Sequence, residues 1–481
     1  MDIQKENRPT LNKAVGSFGF FSLAVGSMIG VGWVTAMGSW LQQAGPIGAI
    51  LAFIVGGGLM LLIGLCYAEV TSLLPVAGGE VAYAYKSFGV GKSFLIGWFL
   101  TFGYLSVSAF EAISVGKVVS FLIPNIDQWP LYSVAGDPVY GSHLLLAGGF
   151  TALITLINFR GVKDAAILQT WLTFIFIGCT LIFIVAAFFS GHLSNLTPAF
   201  AQPGFGSIKG ILAVTVTIPF WFVGFDTIPQ SAEEANESIS YRKLGILIII
   251  SILAAISFYI VLILATSMLG NREAMFESDL ATAEAFRIAL DSPFLVNTIL
   301  LAALIGLLTS WNGFFLAGSR VLFAMGRGKI MSKAFGKSHS KFKTPATAVL
   351  FSGIVTFSAA FLGRGAMLAF VNVGSFCIAL AFAGVSLSFL KLRKTMKKER
   401  PFRTPGGKLT GYLAFLGGLA ILLIMAIPVS PAALQWPLEW MILITFSLLG
   451  LIFWTASKKE RNKVSEKERD YLILENFGED E

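Results

Sequence analysis

The stretch Gly26-Ser27-Met28-Ile29-Gly30-Val31-Gly32-Trp33 lies in the middle of the first long apolar run. Its three glycines weaken a helix there, because glycine loses more backbone entropy than other residues and tolerates non-helical angles. An unpaired backbone N–H or C=O group in membrane hydrocarbon costs several kcal/mol. Such a break persists only where protein buries it or water reaches it, so we expect it to mark the centre of a binding site.

The composition places the chain in a membrane. Of its 481 residues, 55% are hydrophobic and 13% are charged, and the mean hydropathy is +0.76. A soluble protein of this length is far less apolar. The first apolar run continues to about residue 40, which is longer than the core of a cleaved signal peptide. We therefore expect it to be an uncleaved spanning helix.

Twelve apolar runs are long enough to cross about 30 Å of hydrocarbon, which takes about 20 helical residues. They lie at about 15–40, 46–73, 94–122, 142–158, 165–189, 208–231, 244–269, 294–325, 345–362, 366–390, 409–428 and 434–456. The fourth and ninth runs are short. This pattern predicts an all-α membrane protein with twelve transmembrane helices.

Lysine and arginine are distributed unevenly between alternate loops. The termini and every second loop hold 29 of them, whereas the other loops hold only Arg272, Arg287 and Arg364, and Lys117, Lys209 and Arg320 lie within the runs. Because basic residues are retained on the cytoplasmic side, we expect both termini in the cytoplasm. The bias accounts for the net charge of +8 without a nucleic-acid partner, and anionic lipids of the bilayer are the expected contacts of the basic loops.

The sequence carries no signature of an enzyme. Cys66, Cys179 and Cys377 lie in apolar runs without ligand spacing, so we expect neither a disulfide nor a metal centre. The HExxH and GxSxG patterns do not occur. We predict that the chain is not an enzyme and needs no cofactor.

The sixth run contains a second interruption. Pro219, Gly224, Asp226 and Pro229 stand where an ordinary membrane helix keeps its hydrogen bonds, and proline removes a donor and kinks the helix. Breaks in the first and sixth runs, five spans apart, are what two five-helix halves of an inverted repeat would produce. No residue-level repeat supports this, so the evidence is the position of the breaks.

Several motifs occur together: the stretch that begins at Gly26, Tyr67-Ala-Glu-Val with Pro75-Val-Ala-Gly-Gly-Glu80, Phe220-Trp-Phe-Val-Gly-Phe-Asp226, and Gly318-Ser-Arg-Val-Leu-Phe-Ala-Met-Gly-Arg327. As a set they resemble the amino acid-polyamine-organocation (APC) superfamily of permeases over about residues 14–430. The resemblance implies the leucine-transporter-like fold, with a five-plus-five inverted repeat, broken helices 1 and 6, and two additional carboxyl-terminal helices.

The resemblance also implies a domain plan and a function. A cytoplasmic segment, 1–13, precedes a ten-helix transport core, 14–390. A basic cytoplasmic loop, 391–408, two further helices within 409–457 and a cytoplasmic tail, 458–481, follow. Members of the superfamily carry amino acids or amines across the cell membrane as symporters or exchangers, by alternating access.

The first break is expected to bind the carboxylate of an amino acid. The resemblance assigns this role to the backbone of Gly30, Val31 and Gly32, and places Ser27 and Met28 close to the ligand. The physical reason is that free N–H groups at a helix end carry the positive end of the helix dipole.

The second break is expected to bind the ammonium group. Unwound carbonyls around Phe220 to Val223 would carry partial negative charge beside Gly224. The family pattern also places an aromatic lid four residues before Gly224, which is Phe220, with Trp221 as the alternate. The other interpretation is that both aromatic residues serve packing.

Two carboxylates inside spans are further candidates for the site. A carboxylate in a membrane span is expensive and usually marks an ion or substrate route. Asp226 would fill that role, or cap the unwound segment by accepting backbone N–H groups. Glu111, halfway along the third run, would bind a proton or select the substrate, with a buried structural partner as the alternative.

The coupling ion is expected to be Na⁺ or H⁺. In sodium-coupled relatives of this fold, an ion lies between carbonyls of the first break and a hydroxyl pair in the eighth span. The corresponding residues here are Gly26 and Ile29, with Thr309 and Ser310. Alternatively, each hydroxyl bonds its own helix. Some proton-coupled members carry a lysine in the fifth span, and residues 165–189 contain no basic residue.

We therefore expect a secondary transporter for an amino acid, with ion-coupled uptake. Apolar residues near the breaks, Met28, Ile29, Phe220 and Trp221, favour a neutral substrate. The alternatives are an amine or polyamine transporter, an exchanger without ion coupling, and a transporter-like nutrient sensor. A channel would show a repeated filter or a ring of charges, and the sequence shows neither.

Overall fold

The computed structural model describes residues 8–123, 125–270, 272–278, 280–290 and 292–478, with the backbone alone at 162–164. In this part of the chain, ten helices are long and apolar enough to cross a membrane. Two shorter apolar helices, Phe205–Thr215 and Ala346–Ala360, lie where the sixth and ninth spans are predicted. The prediction of an all-α membrane protein is confirmed.

The spanning helices follow the predicted order and are numbered by it. Span 1 begins with the helices Ser17–Met28 and Gly32–Thr35. The helix Met37–Leu73 contains the end of span 1 and the whole of span 2. The others are Val90–Leu122 (span 3), Gly141–Arg160 (span 4), Val162–Ser190 (span 5), Phe205–Thr215 with Ile218–Phe222 and Thr227–Gln230 (span 6), Tyr241–Met268 (span 7), Pro293–Arg327 (span 8), Ala346–Ala360 (span 9), Met367–Thr395 (span 10), Lys408–Ala426 (span 11) and Leu438–Ala456 (span 12).

Short elements connect the spans. The α-helices are Gly79–Phe88, Arg272–Glu277, Ala281–Leu290, Lys458–Asn462 and Glu466–Leu474, and the 3-10 helices are Leu193–Leu196, Ala232–Glu234 and Arg364–Ala366. Strands Pro130–Val134 and Asp137–Tyr140 form an antiparallel hairpin between spans 3 and 4. Spans 1 and 2 are separated at Gly45, whose φ of +74° is a left-handed conformation that suits glycine.

Both predicted breaks are present. Residues 29–31 interrupt span 1, and the second half of that span restarts at Gly32. In span 6 the helix Ile218–Phe222 ends at Val223, and residues 223–226 are unwound. The prediction that unwinding begins at Phe220 is wrong, because Val223 N–H still bonds to Pro219 O at 2.9 Å and the chain departs from the helix at Gly224, with φ of +133°.

A fully buried ion pair joins the segment after span 6 to span 8. Arg320 and Glu234 form two hydrogen bonds of 3.1 and 2.8 Å, and their side chains are 1% and 0% exposed. The backbone of the same segment pairs with the residues before span 1, since Ala14 and Val15 N–H both donate to Glu234 O. Arg320 lies within the predicted run 294–325, and the structure places it inside span 8.

Removing one partner of this pair should destabilise the protein strongly. Arg320→Met leaves the Glu234 carboxylate buried without its cation, which costs about 3–5 kcal/mol. We expect a clear drop in the thermal unfolding temperature of the purified protein in detergent. Lys333→Met is the matched control, because Lys333 pairs with Glu460 at 3.9 Å with 67% of its side chain exposed. Equal melting temperatures for the two variants would contradict this assignment.

Candidate functional site

The two breaks contact each other at the centre of the bundle. Gly224 lies so close to span 1 that a Cβ atom on it would stand 2.6 Å from Met28 N. Tyr259 of span 7 donates its hydroxyl to Met28 O at 2.8 Å, and the Tyr259 hydroxyl oxygen also lies 3.4 Å from Trp221 O. One side chain thus ties the carbonyl end of the first helix segment to the segment before the second break.

Glu111 occupies the amide side of the first break. Its Oε1 accepts a hydrogen bond from Val31 N–H at 3.4 Å, and its carboxyl group is also hydrogen-bonded to Ser310 of span 8. The side chain lies against Gly30, where a Cβ atom would collide with it. Glu111 is 2% exposed, and its Oε2 has no hydrogen-bond partner among the described residues. A buried carboxylate is thus presented to one of the predicted carboxylate-binding amides.

Asp226 stabilises the second break. Its Oδ1 accepts from Gly224 N–H at 2.7 Å, and its Oδ2 accepts from the Tyr104 hydroxyl at 2.8 Å. The predicted capping of the unwound segment is therefore present. Tyr104 was not among the predicted site residues. It stands seven residues before Glu111, so the two lie on one face of span 3, and that spacing was the signal available in the sequence.

The four residues of the candidate cation site lie in two neighbouring pairs. Gly26 packs beside Thr309. A Cβ atom added to Gly26 would stand 3.2 Å from the Cβ atom of Thr309. Thr309 donates its hydroxyl to Gly306 O at 2.9 Å, as the alternative interpretation expected. Ser310 lies at Gly30 and is bonded to Glu111. Ile29 follows directly on the first helix segment and is buried.

Trp221, rather than Phe220, covers the first break. Its six-membered ring lies over Gly32, where a Cβ atom would collide with it, and its Nε1 donates to Thr217 Oγ1 at 2.9 Å. Phe220 packs instead on Gly374 of span 10 and on Phe110, with ring centroids 5.6 Å apart. Both aromatic side chains are buried, and they contact each other.

A cavity of about 260 Å³ leads to the Trp221 ring. Trp40 and Phe110 line it beside Trp221, and Lys117 and Arg364 contribute the charged groups. Arg364 belongs to the turn between spans 9 and 10, so the cavity opens toward the face that carries this turn. The restarted part of span 1 contributes Thr35 to the wall.

The opposite face is closed by a cluster of arginine and glutamate side chains. This face carries residues 8–16, the segment 231–240, the loop 328–345 and residues 458–478, and is called the basic face below. Glu233 pairs with Arg327 at 2.9 Å and with Arg8 at 3.0 Å. Burial alone would raise the pKa of Glu233, but these two cations hold it at about 2. The resulting stability is present above the ordinary glutamate range and is lost only as pH falls toward 2.

A second set of ion pairs lies beside this cluster on the basic face. Glu69 of span 2 accepts two hydrogen bonds from Arg393 and lies 2.9 Å from Arg400 Nε. These arginines belong to the end of span 10 and the loop after it. These contacts make Glu69 a polar anchor at this face.

The carboxyl-terminal tail reinforces the same closure. Ile473 packs on Gly328 at the end of span 8, where a Cβ atom would stand 2.6 Å from its Cδ1. Arg8 pairs with Glu475 at 3.2 Å and donates to Leu472 O at 3.3 Å. Ile473 is only 1% exposed, so the helix Glu466–Leu474 packs against the protein.

Loosening the tail should loosen the amino terminus. Ile473→Ala removes buried contacts worth about 2 kcal/mol or more, so amide hydrogen exchange should rise by roughly tenfold in residues 466–475 and also in residues 8–15. Ile452→Ala makes the same chemical change at a side chain that is 62% exposed and should change neither segment. Faster exchange in the tail alone would contradict a shared closure.

Similarity to known proteins agrees with this architecture. The amino acid permease family model matches residues 15–449. The branched-chain amino acid permease BcaP of Bacillus subtilis is 27% identical over 473 residues, covering 95% of each chain. The glutamate/serine transporter AimA of the same organism is 28% identical over 459 residues, covering 92% of this chain and 81% of AimA.

A methylthioribose transporter of Bacillus subtilis is 27% identical over 403 residues, covering 82% of this chain and 85% of that protein. The substrates for which these relatives are named differ, whereas the family match extends over nearly the whole bundle, including both breaks. The chain is therefore an amino acid transporter of the amino acid permease family, within the APC superfamily, and not an enzyme.

Proposed function

We propose that this protein is a secondary active transporter that takes up an amino acid by alternating access, with a proton as the coupling ion. The observation that carries the proposal is the contact of two helix breaks around buried carboxyl groups at the bundle centre. Broken helices that meet at mid-membrane provide both free amides and free carbonyls to one small zwitterion.

The substrate carboxylate would bind to the amides of Gly30, Val31 and Gly32. Val31 N–H already faces the Glu111 carboxyl group, so the substrate and Glu111 compete for the same positive end of the helix. The ammonium group would bind to carbonyls of the second break, at 223–226. Ser27 and Met28 border this space, since Gly224 packs directly on them.

The route to the site favours a neutral or acidic substrate over a cationic one. The described residues that line the cavity above Trp221 include no carboxylate, and Arg364 in its wall is paired with Asp127 at 3.7 Å. A substrate with a cationic side chain would therefore find no countercharge in the cavity wall. Trp221 would act as the lid, because its ring already separates the cavity from the first break. A neutral amino acid is the substrate we propose first.

A proton is favoured over sodium by the bonds around Glu111. No cation among the described residues forms an ion pair with Glu111, and an unpaired carboxylate is costly at this depth. Protonation of Glu111 would release Val31 N–H for the substrate, which links proton and substrate binding at one amide.

The basic face would be cytoplasmic, in the cell membrane, and the cavity would open outward. Lysine and arginine concentrate on the loops of the basic face, as expected for cytoplasmic loops. The conformation described here would then be closed toward the cytoplasm by the Glu233 cluster. Inward release would require Arg8, Arg327 and the segment after span 6 to separate.

Uptake by the purified protein in liposomes tests the function directly. Labelled neutral, acidic and cationic amino acids, together with amines, would be offered under a proton gradient and, separately, under a sodium gradient. We expect saturable accumulation of a neutral amino acid driven by the proton gradient. Accumulation driven by sodium alone would overturn the choice of ion. Exchange without any gradient would favour an exchanger, and no transport with ligand-induced stabilisation would favour a sensor.

Glu111→Gln should separate binding from coupling. The amide cannot exchange a proton, so accumulation driven by a proton gradient should fall by roughly tenfold or more. Exchange of internal for external substrate should persist and should lose its dependence on pH. Glu439→Gln is the matched control, because Glu439 is also buried, at 4% exposure, but bonds to Asn372 far along the chain. Unchanged proton-driven uptake in Glu111→Gln would contradict the role of Glu111.

A further inference from the structure

A long apolar groove lies on the membrane-facing surface between spans 4 and 9. Its volume is about 650 Å³, and aliphatic and aromatic side chains dominate its walls. Leu156 and Ile354 in these walls are 46% and 67% exposed. Glycine keeps the two helices close, because Gly353 lies against Thr155. None of these residues belongs to the proposed substrate site.

The groove has the depth of one leaflet. It extends along span 4 from Gly148 to Phe159, which is about 16 Å at 1.5 Å per residue. Half of a bilayer's hydrocarbon is about 15 Å thick. Because Phe159 stands at the end of span 4 on the basic face, the groove runs from that face to about the middle of the membrane.

Three exposed cations surround the end of the groove at the basic face. Arg160 follows Phe159 directly, and Lys341 and Lys343 belong to the loop before span 9. None of the three forms an ion pair with a side chain that the structure describes. They therefore provide positive charge at headgroup depth, next to the end of the groove at Phe159.

The loop that carries the two lysines is fixed to span 4. Thr344 donates its hydroxyl to Phe159 O at 2.8 Å, and the His339 ring stands 5.3 Å from the Phe159 ring. His339 Nδ1 accepts from Lys341 N–H at 3.2 Å. The lysine backbone is thus held at the mouth of the groove.

We propose that this groove is a binding site for an anionic phospholipid, with one acyl chain between spans 4 and 9 and the phosphate group among Arg160, Lys341 and Lys343. Anionic headgroups are attracted to basic clusters at the membrane surface. A second copy of the chain is a poorer occupant. Two copies inserted in the same direction would bring their three cations to the same depth, where like charges repel.

Native mass spectrometry of the purified protein tests the site with phosphatidylglycerol and phosphatidylcholine of identical acyl chains. The intact protein should retain phosphatidylglycerol at least roughly tenfold more tightly, given three cations near the headgroup. The triple variant Arg160→Gln, Lys341→Gln, Lys343→Gln should lose this preference. The control triple variant Lys394→Gln, Lys397→Gln, Lys459→Gln removes the same charge elsewhere on the basic face and should keep it.

A second variant tests the groove itself. Ala152→Trp places a large side chain in the groove wall and should lower retention of both lipids, whereas Leu153→Trp, at a neighbouring exposed position outside the groove, should not. Undiminished phosphatidylglycerol retention in the charge-site variant would overturn the proposal. Complete displacement of phosphatidylglycerol by soluble glycerophosphoglycerol would also overturn it, because the acyl chain would then contribute nothing. A loss of dimer mass in Ala152→Trp without a change in bound lipid would overturn it too, because the groove would then bind a second copy of the chain.

Discussion

The structure depends on satisfying backbone groups that two helices leave unpaired at the centre of a membrane bundle. Water at that depth is scarce, so each exposed N–H or C=O group must find a partner within the protein. Glu111 reaches Val31 N–H, Tyr259 reaches Met28 O, and Asp226 reaches Gly224 N–H. Spans 3 and 7 therefore supply the polar side chains that bond to the break in span 1, whereas span 6 supplies its own Asp226. At the proposed site, a substrate zwitterion would replace some of these partners and would itself bond to the backbone groups of the breaks.

The basic face satisfies a different constraint, because its buried groups are charges rather than dipoles. A buried charge is tolerated only with a partner and hydrogen bonds, and Arg320 with Glu234 meets that condition in two parallel bonds. The neighbouring Glu233 has two arginine partners. Since its pKa is about 2, this cluster stays charged at physiological pH. Opening of this face would therefore separate ion pairs rather than titrate them, and the proposed proton exchange would belong to the carboxyl groups at the breaks.

The sequence predicts the spans and both breaks because hydropathy, glycine and proline act locally. It also predicts that Glu111 and Asp226 matter, since carboxylates are rare in apolar runs. It does not reveal Tyr259, because a tyrosine in span 7 looks like any other aromatic residue until the fold brings it to Met28. Likewise, the sequence places Arg320 inside the eighth run but does not identify its partner, Glu234, which the fold brings beside it. The start of the second break was misplaced because Pro219, near the start of a short helix, is compatible with helix, whereas the turn belongs to Gly224 with its positive φ.

The meeting of Arg8 with Glu475 and Leu472 has a consequence for biosynthesis. Span 8 supplies Arg327 to Glu233 as soon as that span is inserted, so the inner part of the closure can assemble while translation continues. The contacts to the tail wait until residues 466–475 have left the ribosome, after all twelve spans. A nascent chain would therefore hold residues 8–15 more loosely than the folded protein does, until the helix Glu466–Leu474 packs on the end of span 8.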